Sequence, residues 1–116
     1  MTEMLKVTVD RRHPMAVIYT EGYINNQGGE EIARVAYDLI DDDHKVLLLN
    51  LQGTKIVNSI GISILIEIIE KMLEIDGQLA FCNLTPTIEK TFHIMGLAQY
   101  AKIYPDEGVA LGELNG

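Results

Sequence analysis

Apolar and polar positions alternate with period two through Leu5-Lys6-Val7-Thr8-Val9, the pattern of a strand with one buried face. Asp10 to Pro14 reads as a turn, and Met15 to Tyr19 as a second, more continuously apolar and so more buried strand. The two are expected to form a hairpin. Asn25 to Gly29 is polar and glycine-rich and is expected to be a loop. Ile32, Val35, Ala36, Leu39 and Ile40 then recur at helical spacing. Glu30 and Glu31 fall at the start of that helix, where negative charge is favoured. Asp41-Asp42-Asp43 suits a helix C-terminus poorly and is assigned to the following turn.

Val46 to Leu49 is a short unbroken apolar run, as in a central strand covered on both faces. Gln52 to Val57 is read as a connection to a long amphipathic helix from Asn58 to about Ile75, with Gly77 as its stop. Gln78 to Cys82 is a strand. Thr85-Pro86 opens a helix, since threonine caps and proline fits the first helical position. Ile88, Phe92 and Met95 are expected to face inward from it, and Gly96 to end it. Lys102 to Tyr104 is a short last strand, and Asp106-Glu107 opens a final helix to about Leu114, weakened by Gly108 and Gly112. The order ββαβαβαβα predicts an α/β fold. It has a mostly parallel sheet of about five strands, an N-terminal antiparallel hairpin and about four helices.

The length of 116 residues fits one domain. Seventeen acids against nine lysines and arginines give a formal charge of −8. Such a surface repels phosphate backbones and anionic lipid, so neither nucleic acid nor membrane is an expected partner, whereas a protein with a basic patch is. Glu67, Glu70, Lys71 and Glu74 interrupt the apolar run from Ile60 to Ile75, which therefore does not read as a membrane span. Met1 to Met4 leads into alternating residues rather than a signal peptide. The single cysteine, Cys82, lies in an apolar run and is expected to be a small core residue. A chain that makes no internal disulfide fits a reducing compartment, so a cytoplasmic location is expected.

Candidate chemistry is sparse. His13, His44 and His93 are isolated in sequence and are expected at the surface or on helix flanks, with no zinc-ligand pairing. Gly53-Thr54-Lys55 is similar to the end of a phosphate-binding loop, but Leu48 stands where its first glycine is required. Val57 stands where the first glycine of a nucleophile elbow is required before Ser59. The pairs Glu30-Glu31, Glu70/Glu74 and Asp106-Glu107 are expected on solvated faces or helix starts. No catalytic site, metal or cofactor is therefore expected. The remaining segment, Asn50 to Gly61, joins a buried strand to a helix start capped by Asn58 or Ser59. A serine there suits phosphorylation, because the helix dipole and free N–H groups stabilise the anion.

These features together resemble the STAS domain family. The parallels are the element order, the strand Val46-Leu47-Leu48-Leu49-Asn50-Leu51, the turn Asn58-Ser59-Ile60-Gly61, and Gly22-Tyr23-Ile24-Asn25 after the second strand. Ala80 to Pro86 and Met95-Gly96-Leu97 add to them, and the resemblance runs over about residues 4–113. It is strongest to bacterial anti-sigma factor antagonists. In that family an anti-sigma factor that is also a serine kinase binds the unphosphorylated protein, phosphorylation ends the exchange, and a phosphatase restores it. The resemblance implies that Ser59 is the phosphoacceptor. It also implies a partner-binding surface of Asn25, Thr54, Asn58, Ser59, Ile60, Gly61 and Ile62. ATP would belong to the kinase. Three positions depart from the family pattern: Asn25 and Asn58 replace aspartates, and Ile60 replaces a second serine. Asparagine caps as well as aspartate but carries no charge. The same fold also serves as a scaffold subunit in lipid-transport or stress-signalling complexes, which is the alternative expectation.

Overall fold

The computed structural model describes residues 5–114. Met1 to Met4, weighed above against a signal peptide, and residues 115–116 of the expected domain lie outside the described residues. The chain runs β1 (Lys6–Arg12), β2 (Met15–Ile24), α1 (Asn26–Asp41), β3 (Val46–Val57), α2 (Ser59–Glu74), β4 (Gln78–Cys82) and α3 (Pro86–Ile94). A 3-10 turn (Leu97–Gln99), β5 (Lys102–Tyr104) and α4 (Glu107–Leu114) complete it. The five strands lie in chain order, β1 antiparallel to β2 and each later neighbour parallel.

Alternation along the strands separates two cores. Ala16, Ile18, Leu47, Leu49, Leu79 and Phe81 point to one face, where α1, α2 and α3 cover them with Ile32, Leu39, Leu65, Ile68, Met72 and Phe92. Phe81 and Phe92 meet edge to face, ring centroids 5.0 Å apart. The intervening Val17, Leu48, Ala80 and Cys82 point to the other face, where Ala110 of α4 closes a small second cluster. Cys82 is fully buried there, as expected. Burial first, then the carboxylates of Glu107 and Asp106, push its thiol up to about 12.

Several elements differ from the sequence reading, each for a local reason. The segment Asn25 to Gly29 is not a loop: Asn25 caps α1 and both glycines are buried inside the helix. A Cβ at Gly28 would come within 2.5 Å of the Tyr23 carbonyl oxygen, and one at Gly29 within 2.8 Å of Ile64. These glycines permit close approach rather than marking a turn. Glu30 and Glu31 consequently sit beyond the first turn, which holds no acid. Asp41 is the last helical residue and Asp42 the C-cap.

The connection Gln52 to Val57 is strand, because β2 and β3 keep pairing to Ile24 and Val57 across two register shifts. The left-handed residue after α2 is Asp76 (φ 58°), not Gly77. Gly77 is instead pressed against the Lys45 carbonyl, where a Cβ would lie 2.7 Å from the oxygen. Met95 is half exposed as the C-cap of α3 rather than inward-facing. His44 is buried, not superficial. Its Nδ1 donates to the Leu39 carbonyl at 3.1 Å, and its ring packs edge-on against His13 at 5.1 Å. Of the pair expected on a solvated face, Asp106 caps α4 by accepting from the Val109 N–H, but Glu107 turns inward to accept from Asn50 Nδ2 at 3.0 Å.

Candidate functional site

Ile24 and Val57 are register partners at the ends of neighbouring parallel strands. The next residues, Asn25 and Asn58, cap α1 and α2, so both helices begin at one corner with their positive ends together. The two starts are built alike. Asn25 Oδ1 accepts from the Gly28 N–H at 2.8 Å, and Asn58 Oδ1 accepts from the Gly61 N–H at 2.8 Å. Gly61 is buried against β2, where a Cβ would strike the Ile24 carbonyl oxygen. The Asn58 N–H donates to that same carbonyl at 3.1 Å, which locks the start of α2 to the end of β2.

Ser59 is the first residue of α2 and is exposed. Of the four N–H groups that a helix start leaves outside its ladder, Asn58 and Gly61 are thus satisfied, and those of Ser59 and Ile60 make no hydrogen bond among the described residues. The Ser59 carbonyl accepts from Ser63 Oγ at 3.1 Å. Ile60 is 53% exposed beside the serine. Tyr23 and Ile56, paired across β2 and β3, are exposed on the strand ends leading into the same corner. With Gly22, Gly53 and Lys55 they line a depression of about 180 Å³.

The seven residues that the resemblance assigned to the docking surface are therefore divided by the fold. Ser59 and Ile60 are on the surface, and Asn25 and Asn58 are half-buried with their side-chain oxygens committed to caps. Thr54, Gly61 and Ile62 are buried, against the expectation of a surface position. The Thr54 hydroxyl is paired with that of Thr20 at 2.7 Å, and Ile62 belongs to the main core. These three support the corner from within. Tyr23 and Ile56 were missed because both lie in stretches not read as strand. Their outward positions follow once period-two alternation is continued to Ile24 and Val57.

Charge is distributed unevenly. Residues 26–43 and 59–76, which hold α1, α2 and the turns after them, carry ten acids and two bases, a balance of −8. The rest of the chain has seven of each, so the helical layer bearing the serine carries the whole net charge of −8. Arg34 is held between Glu31 and Asp38, and it keeps the Glu31 carboxyl below the usual carboxylate range. Among the described residues no group of three or more His, Cys, Asp or Glu side chains is placed to hold a metal ion. No described helix is long and apolar enough to cross a membrane.

Residues 6–110 match the family model of the STAS domain. Among curated proteins the chain is similar to BtrV of Bordetella bronchiseptica, named as a candidate anti-sigma factor antagonist. The two are 22% identical over 101 residues, covering 87% of this chain and 84% of BtrV. Among solved structures, an anti-sigma factor antagonist from Mycobacterium paratuberculosis superposes with a TM-score of 0.84 at 20% identity, covering 97% of this chain and 95% of that one. The Bacillus cell fate determinant SpoIIAA in its phosphorylated form superposes with a TM-score of 0.74 at 17% identity, covering 94% and 99%.

Proposed function

The chain belongs to the STAS domain family, and from that premise we propose that it is an anti-sigma factor antagonist whose docking corner is switched by phosphorylation of Ser59. Unphosphorylated, it binds an anti-sigma factor that is also a serine kinase and draws it away from its sigma factor. Phosphate on Ser59 ends that binding, and a phosphatase restores it. The chain itself acts by binding rather than by catalysis.

The observation that carries this reading is the exposed Ser59 hydroxyl at the first position of α2, flanked by exposed Ile60. A phosphate at that position is met by the N–H groups of Ser59 and Ile60 and by the positive end of the helix. It leaves the fold intact while adding a charge of about −1.5 to −2. The surrounding helical layer already holds −8, which fits a partner with a cationic face. Tyr23, Ile56 and Ile60 supply apolar area for the centre of such an interface. A phosphate left unpaired in that contact costs about 3–5 kcal/mol by analogy with other buried charges.

The test is the affinity of the kinase for the wild type, Ser59→Ala and Ser59→Asp, with phosphate transfer followed by mass spectrometry. Tight binding by the first two and weak binding by the third is the expected outcome. Equal affinities for all three overturn the switch. A scaffold role is favoured by one observation: the first turns of α1 and α2 contain no carboxylate, since asparagine caps both. Absence of phosphorylated Ser59 in protein from the native host, under all growth conditions, selects that second reading.

A further inference from the structure

Among the described residues, the sheet face opposite α1–α3 is covered by α4 alone, and α4 is weakly built. It has eight residues, of which Ala110 is fully buried, and Leu111 and Leu114 pack partly on the cluster of Val17, Leu48, Ala80 and Cys82. That cluster is separate from the main core, so uncovering it disturbs none of the contacts of α1, α2 or α3. A helix of two turns has little stability of its own. Two of its residues are glycines, and packing does not ask for glycine at position 112: no atom lies within 4 Å of a Cβ built there. At Gly108 the one neighbour among the described residues is the Asp106 carboxylate at 3.3 Å.

Against this weakness stands one polar clamp. Asn50 Nδ2 donates to Glu107 Oε1 at 3.0 Å. Burial and the charge of that carboxylate push the hydroxyl of Tyr19, on the same face, up to about 12, so it stays neutral. Asn50 is 5% exposed and its Oδ1 accepts from the Gln52 N–H at 2.9 Å, so both ends of the amide are used. One carboxylate thus ties α4 to β3.

We propose that α4 is a releasable latch, pinned by Glu107 to Asn50, that opens from the sheet while the main core stays folded. The sole cysteine reports on it, because Cys82 lies fully buried in the cluster that α4 closes. Closed, the thiol is both inaccessible and protonated. A thiol-specific aromatic disulfide reagent therefore labels only the open form.

The experiment measures the Cys82 labelling rate against urea concentration in the full chain, with global unfolding followed on the same samples by circular dichroism. In the wild type the rate is expected to be nearly independent of urea at low concentrations. Glu107→Ala is expected to raise it at least tenfold. Gly112→Ala, which strengthens the helix without touching the sheet, is expected to lower it about five-fold, the helix-propensity difference converted to an equilibrium. A labelling rate with the full urea dependence of global unfolding overturns the latch. So does a Gly112→Ala rate equal to that of the wild type, which needs no variant at the clamp and no loss of stability.

Discussion

α1 and α2 start side by side with the same four-residue device, Asn-x-x-Gly, and differ in what they hold out to solvent. In α1 the two middle positions are Asn26 and Gln27; in α2 they are Ser59 and Ile60. Cap, glycine and closeness to a strand carbonyl are common to both, so these parts belong to construction. The hydroxyl and the apolar side chain occur at α2 alone, so function is to be sought there. A pair of like-built helix ends in one molecule provides its own control: a substitution with the same effect at both acts on the fold, and one that acts at α2 only acts on binding.

The largest expected effect concerns the shared glycines. Gly61→Ala should destabilise by about 3 kcal/mol and Gly28→Ala by about 2 kcal/mol in urea titrations, since a methyl group at either site meets backbone oxygen that cannot swing aside. Wild-type stability in either variant would show that the starts are not held by close approach. Next comes the charge comparison. Ser59→Asp should weaken binding to the anti-sigma factor about a hundredfold, equivalent to about 2.7 kcal/mol, whereas Asn26→Asp at the same position of α1 should change it less than twofold. Equal losses would move the interface across both helix ends.

Smaller still is the capping contribution. Asn25→Ala and Asn58→Ala should each cost about 1 kcal/mol of stability, read from urea midpoints at unchanged slope. A cost confined to one helix would break the equivalence. The smallest effect is that of an acid in the first turn. Both Ser59→Asp and Asn26→Asp should add about 0.5 kcal/mol of stability at low ionic strength, a gain that 1 M salt should largely erase. Persistence of the gain in salt would assign it to a specific hydrogen bond rather than to the helix dipole.

The element order, the hairpin and the Thr85-Pro86 helix start were legible because each rests on local pattern or on a residue with one strong backbone preference. The corner was legible only in part. Ser59 and Ile60 are surface residues of a helix start, which the asparagine cap announces. Thr54 looked equally available, yet an unpredicted partner, Thr20, 34 positions earlier, satisfies its hydroxyl and allows burial. Gly28 and Gly29 looked like punctuation because the tight contacts that demand glycine come from Tyr23 and from Ile64 of another helix. Likewise His44 reads as a turn residue until the carbonyl of Leu39 and the ring of His13 are brought to it. What the sequence hid in each case was the identity of a neighbour that tertiary structure supplies.

The margins of the sheet have a bearing on how the protein behaves when concentrated. One margin is β5, three residues long. The other is β1, where Arg12 is paired to Asp10 at 2.9 Å and Arg11 to Asp42 at 3.0 Å, so an incoming strand meets fixed charge instead of a bare backbone ladder. Short or charged borders of this kind discourage edge-to-edge polymerisation. A chain with such borders can accumulate to high concentration without seeding fibrils.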